Sequence, residues 1–245
     1  MTIPQTNLKS NLARTSILNK LKSAQVTALS APDVNEFYAK FAPIWSDEIV
    51  KIKHFARTME SVNTQIIWAR ADNWHESLCN IIAQKNIRSI VLPSATVHGK
   101  IAKSALQSVY QDEKKLSIHG FEQDIETWKD TLFDEVDAGF TDIRCGIAQT
   151  GTLVLWPDLN QPRSMSLVPP IHIALFDTAL LHSDFYQAMR ELEIQELEMP
   201  TNVVLISGPS KTADIQLTLA YGAHGPRELI VLACVANNIP LEELI

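Results

Sequence analysis

Two neighbouring segments carry the side chains best suited to bind an anion or to move a proton. The first combines glycine, proline, hydroxyls, a lysine and an aspartate, and the second contains a histidine beside glycine and proline. Hydroxyls and lysine donate hydrogen bonds to carboxylates and phosphates, and a loop histidine can transfer a proton near neutral pH. The segments read Ser207-Gly208-Pro209-Ser210-Lys211-Thr212-Ala213-Asp214-Ile215 and His224-Gly225-Pro226.

The apolar pattern around these segments predicts a strand over residues 202–206, a helix over 213–220 and a strand over 229–235. These elements would form a βαβ unit. A helix that begins near Thr212 leaves its first amides unpaired, and Lys211 adds a positive charge, so an anion could bind at this turn. The same residues are equally typical of a turn in which Ser210 or Thr212 caps the helix, with Asp214 in its first turn.

The remaining chain alternates between strand and helix patterns from residue 62 onward. Strands are predicted over residues 64–68, 87–92, 116–119 and 171–176, with helices at 74–84, up to 109, 121–133 and from 183 to about 195. This alternation favours an α/β fold with a mainly parallel sheet flanked by helices. We expect residues 1–60 to form an N-terminal helical segment that packs on a main domain of residues 61–245.

Composition excludes several classes of protein. The chain has 245 residues, 46% of them hydrophobic, and a net charge of −7 with dispersed basic residues, which argues against a nucleic-acid partner. No apolar run approaches the roughly 20 residues that span a membrane, so we expect a cytoplasmic protein. Cys79, Cys145 and Cys234 are far apart, and His75, Glu76 and His98 have no partners at metal-ligand spacing; we therefore predict no metal site.

Further candidate residues lie between the helix predicted at 121–133 and the strand predicted at 171–176. The corner Thr150-Gly151-Thr152 offers hydroxyls and amides to a carboxylate or phosphate, although it could also be a tight turn that needs Gly151 for a positive φ. Arg163, in a proline-flanked loop, has a planar fork suited to a carboxylate, but could equally be a surface arginine. His172 is more typical of a hydrogen-bonded histidine near the end of the sheet, so His224 is our candidate catalytic residue.

Four motifs in order resemble those of the LUD domain family. They are the segments already given around Ser207 and His224, together with Ala148-Gln149-Thr150-Gly151-Thr152-Leu153 and Arg163 with Leu167-Val168-Pro169-Pro170-Ile171-His172-Ile173. The resemblance covers residues 52 to 235 and implies a fold like that of the NagB/RpiA/CoA-transferase group. It also implies a role in L-lactate utilisation, namely the oxidation of L-lactate to pyruvate beside two iron–sulfur subunits.

The cysteine count indicates which chain would carry the electrons in such a system. An iron–sulfur cluster is held by about four thiolates, whereas this chain has three scattered cysteines and no G-x-G-x-x-G turn for a nicotinamide or flavin. We therefore predict no cofactor in this chain and iron–sulfur clusters in partner subunits. Many family members resemble this chain but carry an acidic residue at the position of Gln149, so a covalent CoA-transferase mechanism is disfavoured.

These observations favour an accessory subunit of L-lactate oxidation that binds a small anionic ligand. The predicted site comprises residues 150–152, Arg163, Ser207 to Thr212, Asp214 and His224 to Pro226. Two alternatives remain at this stage: a stand-alone acyl- or folate-type transferase or ligase, which rests on fold analogy, and a non-catalytic scaffold.

Overall fold

The computed structural model describes residues 5–24, 30–111, 115–121, 125–192, 200–213, 219–222 and 224–245. It contains two compact units, residues 1–41 and 42–245. Helices α1 (Gln5–Ser23) and α2 (Val34–Phe41) lie in the first unit, where the Asp33 carboxylate accepts the amide hydrogen of Glu36 at the start of α2. The rings of Phe37 and Phe41, one turn apart on α2, lie 4.8 Å from each other.

The second unit holds all of the strands described. Its helices and strands in chain order are α3 (Glu48–Glu60), β1 (Gln65–Ala69), α4 (Trp74–Gln84), β2 (Ser89–Leu92), α5 (Val97–Val109), β3 (Ser117–Gly120), α6 (Ile125–Asp134), β4 (Ala138–Asp142), β5 (Cys145–Ile147), β6 (Thr152–Leu155), α7 (Ser164–Leu167), β7 (Ile171–Asp177), β8 (Leu181–His182), α8 (Phe185–Glu191), β9 (Val204–Ile206), β10 (Lys211–Ala213), β11 (Leu219–Tyr221) and β12 (Glu228–Cys234). Short 3₁₀ helices cover Thr178–Leu180 and Leu241–Glu243.

A six-stranded parallel sheet forms the centre of this unit. Its strand order is β1-β12-β7-β4-β2-β3, and every neighbouring pair is parallel. Strands covered on both faces are apolar at consecutive positions, as in β2, where Ile90, Val91 and Leu92 are all fully buried. The predicted α/β fold with a mainly parallel sheet flanked by helices is confirmed.

Helices and a second sheet cover the two faces of the parallel sheet. Helices α4 and α5 pack on one face, where Leu78 and Leu106 join a core with Phe140 of β4. The other face contacts α3 through Phe55 and the small sheet through Leu153. Side-chain caps stabilise the starts of α3, α5 and α8, where Asp47, Thr96 and Asp184 accept backbone amide hydrogens.

Helix α3 belongs to the second unit, although the sequence analysis assigned its residues to the N-terminal segment. Ile52, Phe55 and Met59 of this helix are fully buried in the core of the second unit. The packing of an N-terminal segment on the main domain stays a prediction. None of the helices within the described ranges is long and apolar enough to cross a membrane.

The small sheet has the strand order β8-β5-β6-β9 and positions the candidate site. Strand β6 pairs antiparallel with both β5 and β9. The predicted strand at 202–206 is therefore present only as β9, which is half-buried and lies outside the parallel sheet. The strand predicted at 229–235 is confirmed as β12, but the predicted βαβ unit is wrong because β9 and β12 belong to different sheets.

The helix predicted to begin near Thr212 is also wrong. Lys211–Ala213 is a strand that pairs antiparallel with Leu219–Tyr221, while residues 214–218, including Asp214, lie outside the described residues. The Ser210 amide donates to the Pro226 carbonyl at 2.8 Å, and the Gly222 amide donates to the Ser210 carbonyl at 3.0 Å. These long-range bonds favour a hairpin, so neither the anion site at a helix N-terminus nor the helix-capping turn forms at this position.

Candidate functional site

Three hydroxyl groups meet where β6 begins and β9 ends. Leu153 of β6 pairs with Ile206 of β9, so the antiparallel register brings the residues beyond them, Thr152 and Ser207, opposite each other. The two hydroxyl oxygens are 2.7 Å apart, and the Thr152 oxygen lies 2.7 Å from that of Thr150. Thr152 is buried, whereas Thr150 and Ser207 are exposed, so the chain of hydroxyls links two exposed side chains through a buried one.

Two glycines fix the turns that hold this chain. Gly151 has φ +56°, and a Cβ there would lie 2.7 Å from a Thr58 methyl carbon of α3. Gly208 has φ +127°, and a Cβ there would lie 2.8 Å from a Val62 methyl carbon. Both backbone conformations favour glycine, and both turns pack against residues that leave no room for a side chain. The tight turn with Gly151 at positive φ, which the sequence left as an alternative at this corner, is present.

A cavity of about 200 Å³ lies beside Ser207, between the parallel sheet, α7 and the turn that follows β9. It contains serine hydroxyls and imidazoles within a mainly apolar wall. The described residues that line it are Ser166, Leu167, His172, Val204, Leu205, Ile206, Ser207, Gly208, Pro209, Ser210, His224, Gly225, Pro226 and Leu229. The motifs around Ser207 and His224 therefore share one cavity, and Ser210 and His224 both line it.

His172 lies on the inner wall of this cavity. It is 1% exposed and shares a 2.8 Å hydrogen bond between its Nε2 atom and the hydroxyl of Thr141 on the neighbouring strand. Burial lowers the pKa of His172 to about 4, so the imidazole is neutral at neutral pH. The expectation of a hydrogen-bonded histidine is confirmed, although its place in the cavity wall was not anticipated.

The two cations predicted to bind the anion lie outside the cavity lining. Arg163 directly precedes α7, where its side chain is exposed and its carbonyl accepts the Ser166 hydroxyl at 2.9 Å. Lys211 is exposed on β10. Among the described lining residues there is no Lys, Arg, Asp or Glu. Any negative charge in the cavity would therefore contact neutral donors and the exposed His224.

The predicted site residues now fall into three groups. Ser207 to Ser210 and His224 to Pro226 line the cavity, whereas residues 150–152, Arg163 and Lys211 do not. Thr152 reaches the cavity through Ser207, and neither the side chain of Thr212 nor Asp214 is described. Ser166 and Leu229 also line the cavity but were not predicted, because an isolated serine and a strand leucine carry no local signal for a cavity.

A second polar cluster lies at the carboxyl end of β4. The Nδ1 atom of His98 is 2.9 Å from a carboxylate oxygen of Asp142, and burial raises the pKa of Asp142 although His98 opposes this effect. The Gln161 side chain accepts the Asp142 amide hydrogen at 2.7 Å and donates to the Asp142 carbonyl at 2.9 Å. His98 is thus a half-exposed partner of the Asp142 carboxylate.

Neither cluster has the composition of a metal centre. Within the described ranges, no three His, Cys, Asp or Glu side chains come together as potential metal ligands. Burial raises the pKa values of Cys145 and Cys234 to about 12, so both are thiols at neutral pH. What the cavity offers chemically is a small set of hydroxyl and imidazole groups beside apolar side chains.

Comparison with known proteins identifies the family of this chain. The model of the LUD domain matches residues 52–234. Uncharacterized protein NMB1437 of Neisseria meningitidis serogroup B is 44% identical over 232 residues, which cover 95% of this chain and 97% of that protein. Lactate utilization protein C of Halalkalibacterium halodurans is 25% identical over 191 residues, or 74% of this chain and 76% of its own length.

Two further comparisons agree with this match. Lactate utilization protein C 1 of Bacillus mycoides is 27% identical over 201 residues, covering 76% of this chain and 82% of that protein. A crystal structure of a DUF162 family protein from Deinococcus radiodurans superposes with a TM-score of 0.52 and 16% identity, covering 79% of this chain and all of that one. The structural match supports the fold.

Proposed function

Because the chain belongs to the LUD domain family, we propose that it is an accessory protein of L-lactate utilisation that binds a small carboxylate in the cavity. Two relatives that align over about three quarters of the chain carry the name lactate utilization protein C. The proposed ligand is a short 2-hydroxy or 2-oxo carboxylate such as L-lactate or pyruvate.

The composition of the cavity supports a ligand of this size and chemistry. Its volume of about 200 Å³ is below the roughly 300–1,000 Å³ of sites for drug-sized molecules. The hydroxyls of Ser207 and Ser210 and the imidazole of His224 can donate to carboxylate or hydroxyl oxygens. Leu167 and Leu229 give a three-carbon acid an apolar surface for its methyl group. This combination within one cavity is the observation that carries the proposal.

The proposal also assigns the redox step to partner subunits. Oxidation of lactate to pyruvate requires an electron acceptor, and iron–sulfur clusters are held by about four cysteine thiolates. This chain has three cysteines far apart in the sequence, and Cys145 and Cys234 are buried thiols. The iron–sulfur subunits of the proposed system would therefore carry the electrons, while this chain binds the carboxylate.

A complementation experiment tests the proposal. We expect deletion of the gene to abolish growth on L-lactate as the sole carbon source, in a strain without another lactate-oxidising enzyme, and the wild-type gene to restore growth. The double variant Ser207→Ala/His224→Ala removes two polar donors from the cavity and should fail to restore it. The matched variant Ser108→Ala/His75→Ala, which changes the groove between α4 and α5, should restore growth.

Normal growth of the deletion strain would refute the role in lactate utilisation. Full restoration by the Ser207→Ala/His224→Ala variant would refute the role of the cavity. Immunoblots of both double variants show whether each protein accumulates to the wild-type level, which separates loss of binding from loss of protein.

A further inference from the structure

We propose that Thr150 and Thr152 are positioning residues, which orient the Ser207 hydroxyl toward a carboxylate through a chain of three hydrogen-bonded hydroxyls. This inference rests on the proposed binding of a carboxylate in the cavity. It assigns the threonines of the corner a role that direct contact cannot give them, because neither lines the cavity.

The geometry defines the order of the chain. Ser207 lines the cavity, its oxygen lies 2.7 Å from that of Thr152, and the Thr152 oxygen lies 2.7 Å from that of Thr150. Both distances are typical of good hydroxyl–hydroxyl hydrogen bonds. Thr150 and Ser207 are exposed and Thr152 is buried, so the chain runs from the surface at Thr150 to the Ser207 hydroxyl at the cavity.

A carboxylate in the cavity would fix the direction of every bond in this chain. Each hydroxyl has one hydrogen to donate and two lone pairs, whereas a carboxylate only accepts. Ser207 must therefore donate to the carboxylate, Thr152 to Ser207, and Thr150 to Thr152. All three O–H dipoles then point toward the negative charge, and hydrogen bonds aligned in this way strengthen one another.

The chain of hydroxyls could stabilise an anion although there is no Lys or Arg among the described lining residues. Lys211 and Arg163 do not line the cavity, and the buried His172 is neutral at neutral pH. Preorganised neutral donors can stabilise an anion in such a setting, because their dipoles need no reorientation when it binds. Thr152 is 4% exposed, so bulk water cannot readily replace its hydroxyl in the middle of the chain.

A neutral ligand would gain less from the chain than a carboxylate. An amide or alcohol can either donate to Ser207 or accept from it, so both directions of the chain are usable and no full charge is stabilised. The chain should therefore raise the preference for L-lactate over the neutral analogue L-lactamide. This preference distinguishes a positioning role from ordinary structural support.

Calorimetric titration of the full chain with L-lactate and L-lactamide tests the inference. Thr152→Val interrupts the chain and should weaken L-lactate binding about tenfold, with less than a roughly twofold effect on L-lactamide. Thr152→Ser keeps the hydroxyl and should retain affinity within about twofold. Thr150→Val, outside the cavity lining, should weaken L-lactate binding about threefold.

Thr64→Val is the matched control. Thr64 is also buried, but its hydroxyl has no hydrogen-bond partner within the described residues, so the substitution should leave both affinities unchanged. If Thr152→Val does not fold, a double-mutant cycle replaces it: the effect of Thr150→Val should vanish in a Ser207→Ala background, because the chain no longer reaches the cavity.

The outcomes separate this inference from the proposed function. Binding of neither ligand by the wild-type protein would overturn both. Wild-type L-lactate binding that is unchanged in folded Thr152→Val would overturn the hydroxyl chain alone, and so would an equal loss of L-lactate and L-lactamide affinity. An unchanged effect of Thr150→Val in the Ser207→Ala background would also overturn it.

Discussion

The two ends of the parallel sheet use their polar residues differently. Ligands of α/β proteins usually bind at the carboxyl ends of parallel strands. Here Arg70, Asp142 and Asp177, which follow or end β1, β4 and β7, bond to other parts of the same chain. The cavity instead lies near the amino ends of β7 and β12, whose second residues, His172 and Leu229, line its wall.

Polar residues at a sheet edge therefore indicate a ligand site only where their side chains are not already bonded to other groups of the protein. Arg70 donates to the carbonyls of Val235, Ala236 and Ile239, and Gln161 bonds to both backbone groups of Asp142. We therefore expect substitutions at the carboxyl ends to alter stability without altering binding, and substitutions of Ser207 or His224 in the cavity to alter binding.

The largest effect expected is the pH dependence caused by His172 in the cavity wall. Its pKa falls from 6.5 to about 4 on folding, so the unfolded chain binds more protons between these values. The free energy of unfolding therefore has its full value above pH 6.5 and falls by about 3 kcal/mol as the pH drops toward 4. Urea unfolding of the wild type and His172→Gln measures it.

The comparison between these two proteins isolates one histidine, because all other titrating groups are shared. We expect the wild type to lose more stability than His172→Gln between pH 7 and pH 4. Equal losses in the two proteins would show that His172 is not a buried neutral imidazole, and the description of the cavity wall would then be wrong.

A smaller effect is expected at the carboxyl ends from Arg70→Ala. The substitution removes the donor of three backbone carbonyls, so we expect a loss of about 2 kcal/mol in the free energy of unfolding. Affinity for L-lactate should not change. The control Arg88→Ala alters an exposed arginine whose backbone amide, rather than its side chain, bonds to Asp137, and should change stability by less than about 0.5 kcal/mol.

Reduced L-lactate affinity in folded Arg70→Ala would break the distinction between the two ends. Chemical denaturation and calorimetry on the same preparations give both quantities for each variant.

The smallest effect is expected from His98→Ala. The contact with Asp142 is partly exposed, with 49% and 26% of the two side chains accessible, and exposed pairs of this kind contribute about 0.2–1 kcal/mol. Unfolding curves should therefore show a loss within this range, and L-lactate should bind as it does to the wild type. Complete loss of binding with intact folding would move the ligand site to the carboxyl end of β4.

The parallel sheet was predictable because its evidence is local. Continuous apolar runs such as residues 90–92 indicate strands buried on both faces, and helical spacing between them indicates the covering helices. The hairpin after Ser210 was not predictable in this way. Its segment has helix-compatible spacing, but bonds from Ser210 to Pro226 and Gly222 join positions that no local pattern relates.

The same distinction explains the outcome for the site. Residue types and order were sufficient to group Ser207, Ser210 and His224, since loops rich in glycine and hydroxyls often bind ligands. Whether Lys211 and Arg163 line the cavity could not be predicted, because it depends on the directions of their side chains, which the hairpin and α7 determine. The link from Thr152 to Ser207 depended on the register of β6 and β9, which only the fold reveals.

A crystal structure of the protein with L-lactate is the most direct test of the central claim that the ligand site is the cavity. We predict electron density for L-lactate in the cavity, with a carboxylate oxygen within hydrogen-bonding distance, about 2.5–3.0 Å, of the Ser207 hydroxyl. Density beside His98 and Asp142, with an empty cavity at saturating L-lactate, would contradict the account.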